Sequence, residues 1–150
     1  MIKANVATQI SVPGKETISI LNTLEASGVT TVHLDMTSNP DNIKTVKFNT
    51  DAVLKLLLVK TKDNKYEVQE EGDPPPEPKY IRYRFKGGRG ETWVPLKGPL
   101  CVIGEDKIKS LNDNSELKKM FFKNEFGKDV SLELLMFADV VSSEGEPEDE

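Results

Sequence analysis

One cysteine, one histidine and one tryptophan occur in 150 residues, and each scarcity removes a class of chemistry. Cys101 alone cannot close an internal disulfide. His33 as the sole imidazole leaves no histidine cluster for zinc and no pair for acid–base work. No asparagine sits in an Asn-x-Ser/Thr sequon. Apolar runs such as Leu56 to Val59 fall far short of the roughly 18 residues a spanning helix needs. Met1 to Val6 lacks the apolar stretch of a secretory signal. The expectation is a chain kept in a reducing cytoplasm, or in a particle assembled inside a cell and released later, with no membrane partner.

What is present suits one ordinary domain. A chain of this length buries roughly 68–70% of the surface its unfolded form exposes, enough for a core without metal or disulfide support. The composition, 37% hydrophobic and 30% charged, is that of a globular protein. The net charge of −5 is unevenly placed, because Glu144-Gly145-Glu146-Pro147-Glu148-Asp149-Glu150 holds five of the 25 acidic groups. The remaining 20 balance the 20 basic residues. A neutral body gives no electrostatic reason to expect nucleic acid, which rewards a concentrated basic face. The acidic end reads as a disordered solubilising tail over residues 139–150, with the folded domain over 1–138.

Period-two alternation dominates the chain. Ile2, Val6, Ile10 and Val12 alternate with polar residues before Pro13-Gly14 turns the chain, and Lys15 to Asn22 repeats the pattern through Ile18 and Ile20. Val29 to Met36 and Ile43 to Asn49 follow as strands. Asp51 to Lys60 is apolar on both faces. Thr50 or Asp51 would cap a helix there, but a buried central strand is preferred, because Lys62 to Lys65 turns the chain back into Tyr66-Glu67-Val68 as a hairpin.

Prolines at 74, 75, 76 and 78 cannot donate to a ladder, so 72–79 is a loop dividing the chain into two halves. Beyond it, Ile81, Tyr83 and Phe85 share a face, and Gly87-Gly88-Arg89-Gly90 turns the chain into Thr92 to Leu96 as a second hairpin. Leu100 to Ile103 and Leu117 to Phe122 read as strands, with a short helical turn at Ile108 and Leu111 between them. The last strand, Asp129 to Ala138, carries Val130, Leu132, Leu134 and Met136 on one face, while Leu135 and Phe137 make the other apolar too, so it should lie beneath something. About ten strands broken by Gly, Pro and Asn predict an all-β fold, an antiparallel β-sandwich or jelly roll.

No residue set demands catalysis. His33 reads as a surface residue of a strand, and Cys101, between Leu100 and Val102, as a small core residue. Neither Asp35 to Asp41 nor Asp106 to Asp113 has calcium-loop spacing. Gly87 to Gly90 is no P-loop, lacking Gly-Lys-Ser/Thr. No cofactor or metal is therefore expected. Tyr80 and Trp93 lie on the outward side of the second hairpin if the alternation holds, and aromatics on a sheet face make platforms for protein or sugar. With Leu135 and Phe137 they are the candidate contact residues.

The stretch Val94 to Leu100, Ile108 to Leu111, and Phe122 to Leu134 resembles the C-terminal half of small all-β phage virion accessory proteins, over about a third of the chain. The resemblance implies a decoration or tail-associated subunit that self-associates or clamps neighbouring subunits, with no catalytic residues. The expected function is thus a non-enzymatic structural or interaction protein, a homo-oligomer or particle-bound subunit. The alternative is a carbohydrate-binding β-sandwich module stacking sugars on Trp93 and Tyr80.

Overall fold

The computed structural model describes residues 1–39, 41, 43–49, 51–85, 93–112 and 117–140. They form eleven strands and one short helix: β1 (Ile2–Ile10), β2 (Ile18–Ala26), β3 (Gly28–Met36), β4 (Ile43–Lys47), β5 (Ala52–Thr61), β6 (Glu67–Val68), β7 (Lys79–Phe85), β8 (Val94–Pro95), β9 (Leu100–Ile103), α1 (Glu105–Ser110), β10 (Lys119–Asn124) and β11 (Val130–Val140). The fold is mostly β, as the alternation predicts, and every paired ladder is antiparallel.

Two sheets share one core. The first runs β3-β11-β5-β9, and the second β4-β10-β7-β6 with β8 on β7. Met36, Leu57, Val59, Leu132 and Leu134 from the first sheet meet Val46, Ile81, Met120 and Phe122 from the second, and Ile108 of α1 joins them. These positions alternate along each strand, so the period-two pattern is the direct cause of the packing. The ambiguous run at 51–60 is a strand, because β5 lies inside its sheet between β11 and β9 and needs apolar groups on both faces.

Two details differ from the sequence reading. Tyr66-Glu67-Val68 does not form a hairpin with β5: β6 pairs with β7, in the other sheet, through Glu67↔Tyr80 and Val68↔Lys79. Both edges of β5 are taken by β11 and β9, so none is left for β6. The last strand also runs on to Val140, which takes Asp139 and Val140 out of the expected tail. Residues 141–150, and the turn at 87–90 joining β7 to β8, lie outside the described residues.

One buried polar side chain ties the sheets together at one end. Asn124, at the end of β10, is fully buried. Its amide nitrogen donates to the carbonyls of Thr37 (2.7 Å), Lys128 (2.9 Å) and, more loosely, Met36 (3.4 Å), while its oxygen accepts the Phe126 N–H at 2.8 Å. The exit of β3 in one sheet, the end of β10 in the other and the turn into β11 are thereby fixed together. Asn124→Asp keeps the shape but aims a carboxylate at these carbonyls. It should lower the unfolding free energy by about 3 kcal/mol, the scale of orphaned buried partners, as read by urea denaturation.

Candidate functional site

Two outer surfaces carry the residues singled out above. The first is the outer face of β3-β11-β5-β9, on which the β1–β2 hairpin sits. Opposite pairs in this hairpin share a face, so Ala4↔Leu24, Val6↔Asn22, Thr8↔Ile20 and Ile10↔Ile18 lie on one side, and Lys3↔Glu25, Asn5↔Thr23 and Gln9↔Ser19 on the other. The near half of the apolar side, Ala4, Val6, Leu24 and Ala26, packs on Leu56, Phe137, Ile103 and Leu135. This corrects one expectation: Phe137 is 1% exposed, so it is not an available contact, because the chain's own hairpin covers it. Leu135 beside it is half-buried. The reading that β11 lies beneath something holds, and the cover is β1–β2.

Beyond Val6 the hairpin projects. Every residue from 7 to 21 is exposed, yet the stripe continues through Ile10 (48% exposed), Ile18 (59%) and Ile20 (47%). The tip is well built: Lys15 N–H bonds to the Val12 carbonyl at 3.0 Å, and Gly14 has φ 80°. Pro13 and Gly14 are the residues a type II turn asks for at its two central positions.

A bulge anchors the base of this arm. The β5–β11 register shifts between Phe137 and Ala138, leaving Lys55 as the extra residue of β5. Its ammonium reaches the Glu25 carbonyl (2.9 Å) and the Asp139 carboxylate (2.8 Å), and Asp139 also accepts the Ser27 N–H at 2.8 Å.

The second surface is the outer face of β4, β10 and β7. Ile81, Tyr83 and Phe85 point inward as expected, so Tyr80, Arg82 and Arg84 face out. Register sets Phe121 beside Arg84 and Lys123 beside Arg82, with Thr45 and Ile43 beyond them on β4. The Arg84 guanidinium carbon lies 4.4 Å from the Phe121 ring centroid and 5.0 Å from that of Trp93. Lys123 Nζ is 5.1 Å from the Trp93 centroid, and Lys97 Nζ is 5.6 Å from that of Tyr80.

Trp93 and Tyr80 therefore both lie on this face, each with a cation of the chain over its ring. The Tyr80 hydroxyl donates to Glu67 at 3.2 Å. Glu125 bridges Arg82 (2.6 Å) and Lys123 (2.9 Å). Burial pushes its carboxyl up, but the hydrogen bonds and charges of Lys123 and Arg82 outweigh that and hold it below its ordinary value. Phe121 and Arg84 were not singled out from the sequence. The signal was there in Arg82 and Arg84 on one strand and Lys119, Phe121 and Lys123 on another, all at two-residue steps, but register was needed to bring the strands side by side.

The remaining candidates stay apart. His33 is on β3 and Cys101 on β9, the two outermost strands of one sheet. Three strand spacings, about 14 Å, separate them, too far for a nucleophile–base pair. Cys101 is exposed, and so is not the core residue expected of it, while partial desolvation by its neighbours raises its thiol pKa, away from the reactive thiolate. In the groove between the end of β3 and the start of β11, Asp35 accepts the Ser131 hydroxyl (2.7 Å) and Asp129 the Ser38 N–H (2.8 Å). Among the described residues no group of three or more His, Cys, Asp or Glu is placed to hold a metal, and no helix is long and apolar enough to cross a membrane. Comparisons with protein-family models, with curated proteins and with solved structures found no match.

The arm's anchor gives a pH test. The hydrogen bond from Lys55 holds the Asp139 carboxyl below its ordinary value of 3.8, against an upward push from burial, and the Ser27 N–H adds to the lowering. A depressed folded-state value means that the anchor contributes fully above pH 3.8 and is lost as pH falls through the lowered value. A titration of the Ser27 amide resonance should have its midpoint below 3.8, and Lys55→Met should move that midpoint upward.

Proposed function

We propose that this chain is a non-enzymatic structural subunit with a β-sandwich or jelly-roll body, working by association with further copies of itself through the β1–β2 arm. The observation that carries this reading is the run of exposed residues from 7 to 21, in an ordered hairpin whose apolar stripe is seated at one end and bare at the other. An isolated two-stranded ribbon is marginal in water, and bare aliphatic side chains on it are a cost unless a surface covers them.

A second copy is the occupant the chemistry favours. The stripe is aliphatic, and its near half already rests on an aliphatic patch of this same chain, beside which Leu135 and Leu58 remain half-buried. The hairpin tip bears one cation and one anion, Lys15 and Glu16, so charge does not select a differently charged partner. Area points the same way. One face of such an arm offers only a few hundred Å2, roughly half of the ~800 Å2 per partner in a standard interface, and reciprocal exchange about a two-fold axis doubles it. A decoration or tail-accessory subunit of a virion, the role implied by the resemblance of 94–100, 108–111 and 122–134 to phage accessory proteins, fits a body that presents such an arm.

Sedimentation velocity across a hundredfold concentration range tests the reading. The full chain should shift from monomer to dimer or larger, and Ile18→Glu with Ile20→Glu should leave it monomeric with an unchanged melting temperature, since both side chains are solvent-facing. A wild-type chain that stays monomeric at the highest concentration would overturn self-association.

A further inference from the structure

Charge is divided between the two sheets in a way that the balanced total conceals. The sequences of β4, β7 and β10 contain Lys44, Lys47, Lys79, Arg82, Arg84, Lys119 and Lys123 and no carboxylate, and the edge strand β6 adds Glu67. In the other sheet β3, β5, β9 and β11 carry Lys55 and Lys60 against Asp35, Glu133 and Asp139. On the outer face of β4-β10-β7 the cations alternate with rings. One cross-strand row reads Thr45, Phe121, Arg84, and continues to Trp93 through the ring contact with Arg84. Lys119 and Lys123 lie one two-residue step, about 7 Å, to either side of Phe121 along β10. Glu125 neutralises part of the charge at the Arg82 and Lys123 end. Arg84, Lys119 and Lys47 make no carboxylate pair among the described residues.

From this juxtaposition we propose that the outer face of β4-β10-β7 binds single-stranded nucleic acid, with Phe121 and Trp93 as the stacking rings and Arg84, Lys47, Lys119 and Lys123 as phosphate contacts. Charge complementarity selects a polyanion, and the rings then select among polyanions. Nucleobases stack on aromatic rings, whereas an acidic peptide or a polyphosphate would use only the cations. An open strand face also suits unstacked bases. Reading a duplex groove takes an inserted helix or ribbon, and the face at Phe121, Arg84 and Trp93 is a pleated surface. Contact with both rings fixes the position of the Arg84 charge before any ligand arrives, which reduces the ordering cost of binding. The proposal does not depend on the arm, which packs on the opposite sheet.

Fluorescence anisotropy with a labelled 20-nucleotide oligo-dT and the full-length chain, at 50 and 200 mM salt, tests it. Expected are saturable binding with tryptophan quenching, an affinity that falls with salt, and a loss of at least about fivefold in Phe121→Ala, the scale of one lost stacked base. Lys119→Ala should flatten the logarithmic salt slope by about 0.7, one phosphate contact on a single strand. Urea denaturation of both variants confirms that the fold is kept. No binding of oligo-dT at 50 mM salt would overturn the proposal. So would a polyglutamate or inorganic polyphosphate competitor of equal charge that displaces the oligonucleotide equally well while Phe121→Ala binds normally, because the surface would then be a plain cation patch.

Discussion

Strand β11 is apolar on both faces, and covering both is the constraint around which the rest of the molecule is arranged. Its even positions, from Val130 to Met136, bury against the second sheet, and that requirement brings β4, β10 and β7 over it. Its odd positions Leu135 and Phe137 face the other way, away from the second sheet. The chain meets this with the cheapest cover available, a hairpin made from its first 26 residues. The cover is also the more labile of the two, since it is attached through a small apolar patch, Lys55 and Asp139 and not by a ladder of sheet hydrogen bonds.

That economy has a geometric by-product. A hairpin long enough to hold two stable strands is longer than the patch it needs to cover. The near half of the β1–β2 stripe does the covering, and the rest overhangs with its aliphatic side chains bare. The overhang is ordered and its turn is well formed, so it is a presented surface. The bulge at Lys55 adds direction: by inserting one residue into β5 it turns a long cation toward Glu25 and Asp139, so that the arm leaves the body at a fixed point.

How much of this could be read beforehand depended on whether the signal was local or came from register. Alternation at Ile2 to Val12, at Val29 to Met36 and at Val130 to Met136 identified the strands, because a side-chain period of two is a local property. The double-faced run at 51–60 was resolved as a strand for the right reason, central burial. Its partner was misassigned, because a turn signal such as Lys62-Asp63-Asn64-Lys65 says that the chain reverses and not which sheet it re-enters. The need of Leu135 and Phe137 for a cover is visible in their strand, but not the identity of the cover, since no local pattern links Val6 and Leu24 to residues more than a hundred positions away. Tyr80 and Trp93 were placed outward by the same parity that buried Ile81 and Tyr83.

The least legible feature was the separation of charge. A count of 20 against 20 over the body is compatible with a uniformly mixed surface and equally with a molecule whose two broad faces differ in sign. Net charge fixes the far field and says little about the near field, because at physiological ionic strength interactions fade over a Debye length of about 8 Å, and the sheets of a two-layer fold lie roughly 10 Å apart. A ligand lying on β4, β10 and β7 therefore responds to Arg84, Lys119 and Lys47 at close range, and only weakly to the acidic groups of the far sheet. Local composition, read strand by strand once the register is known, is thus the physically relevant quantity.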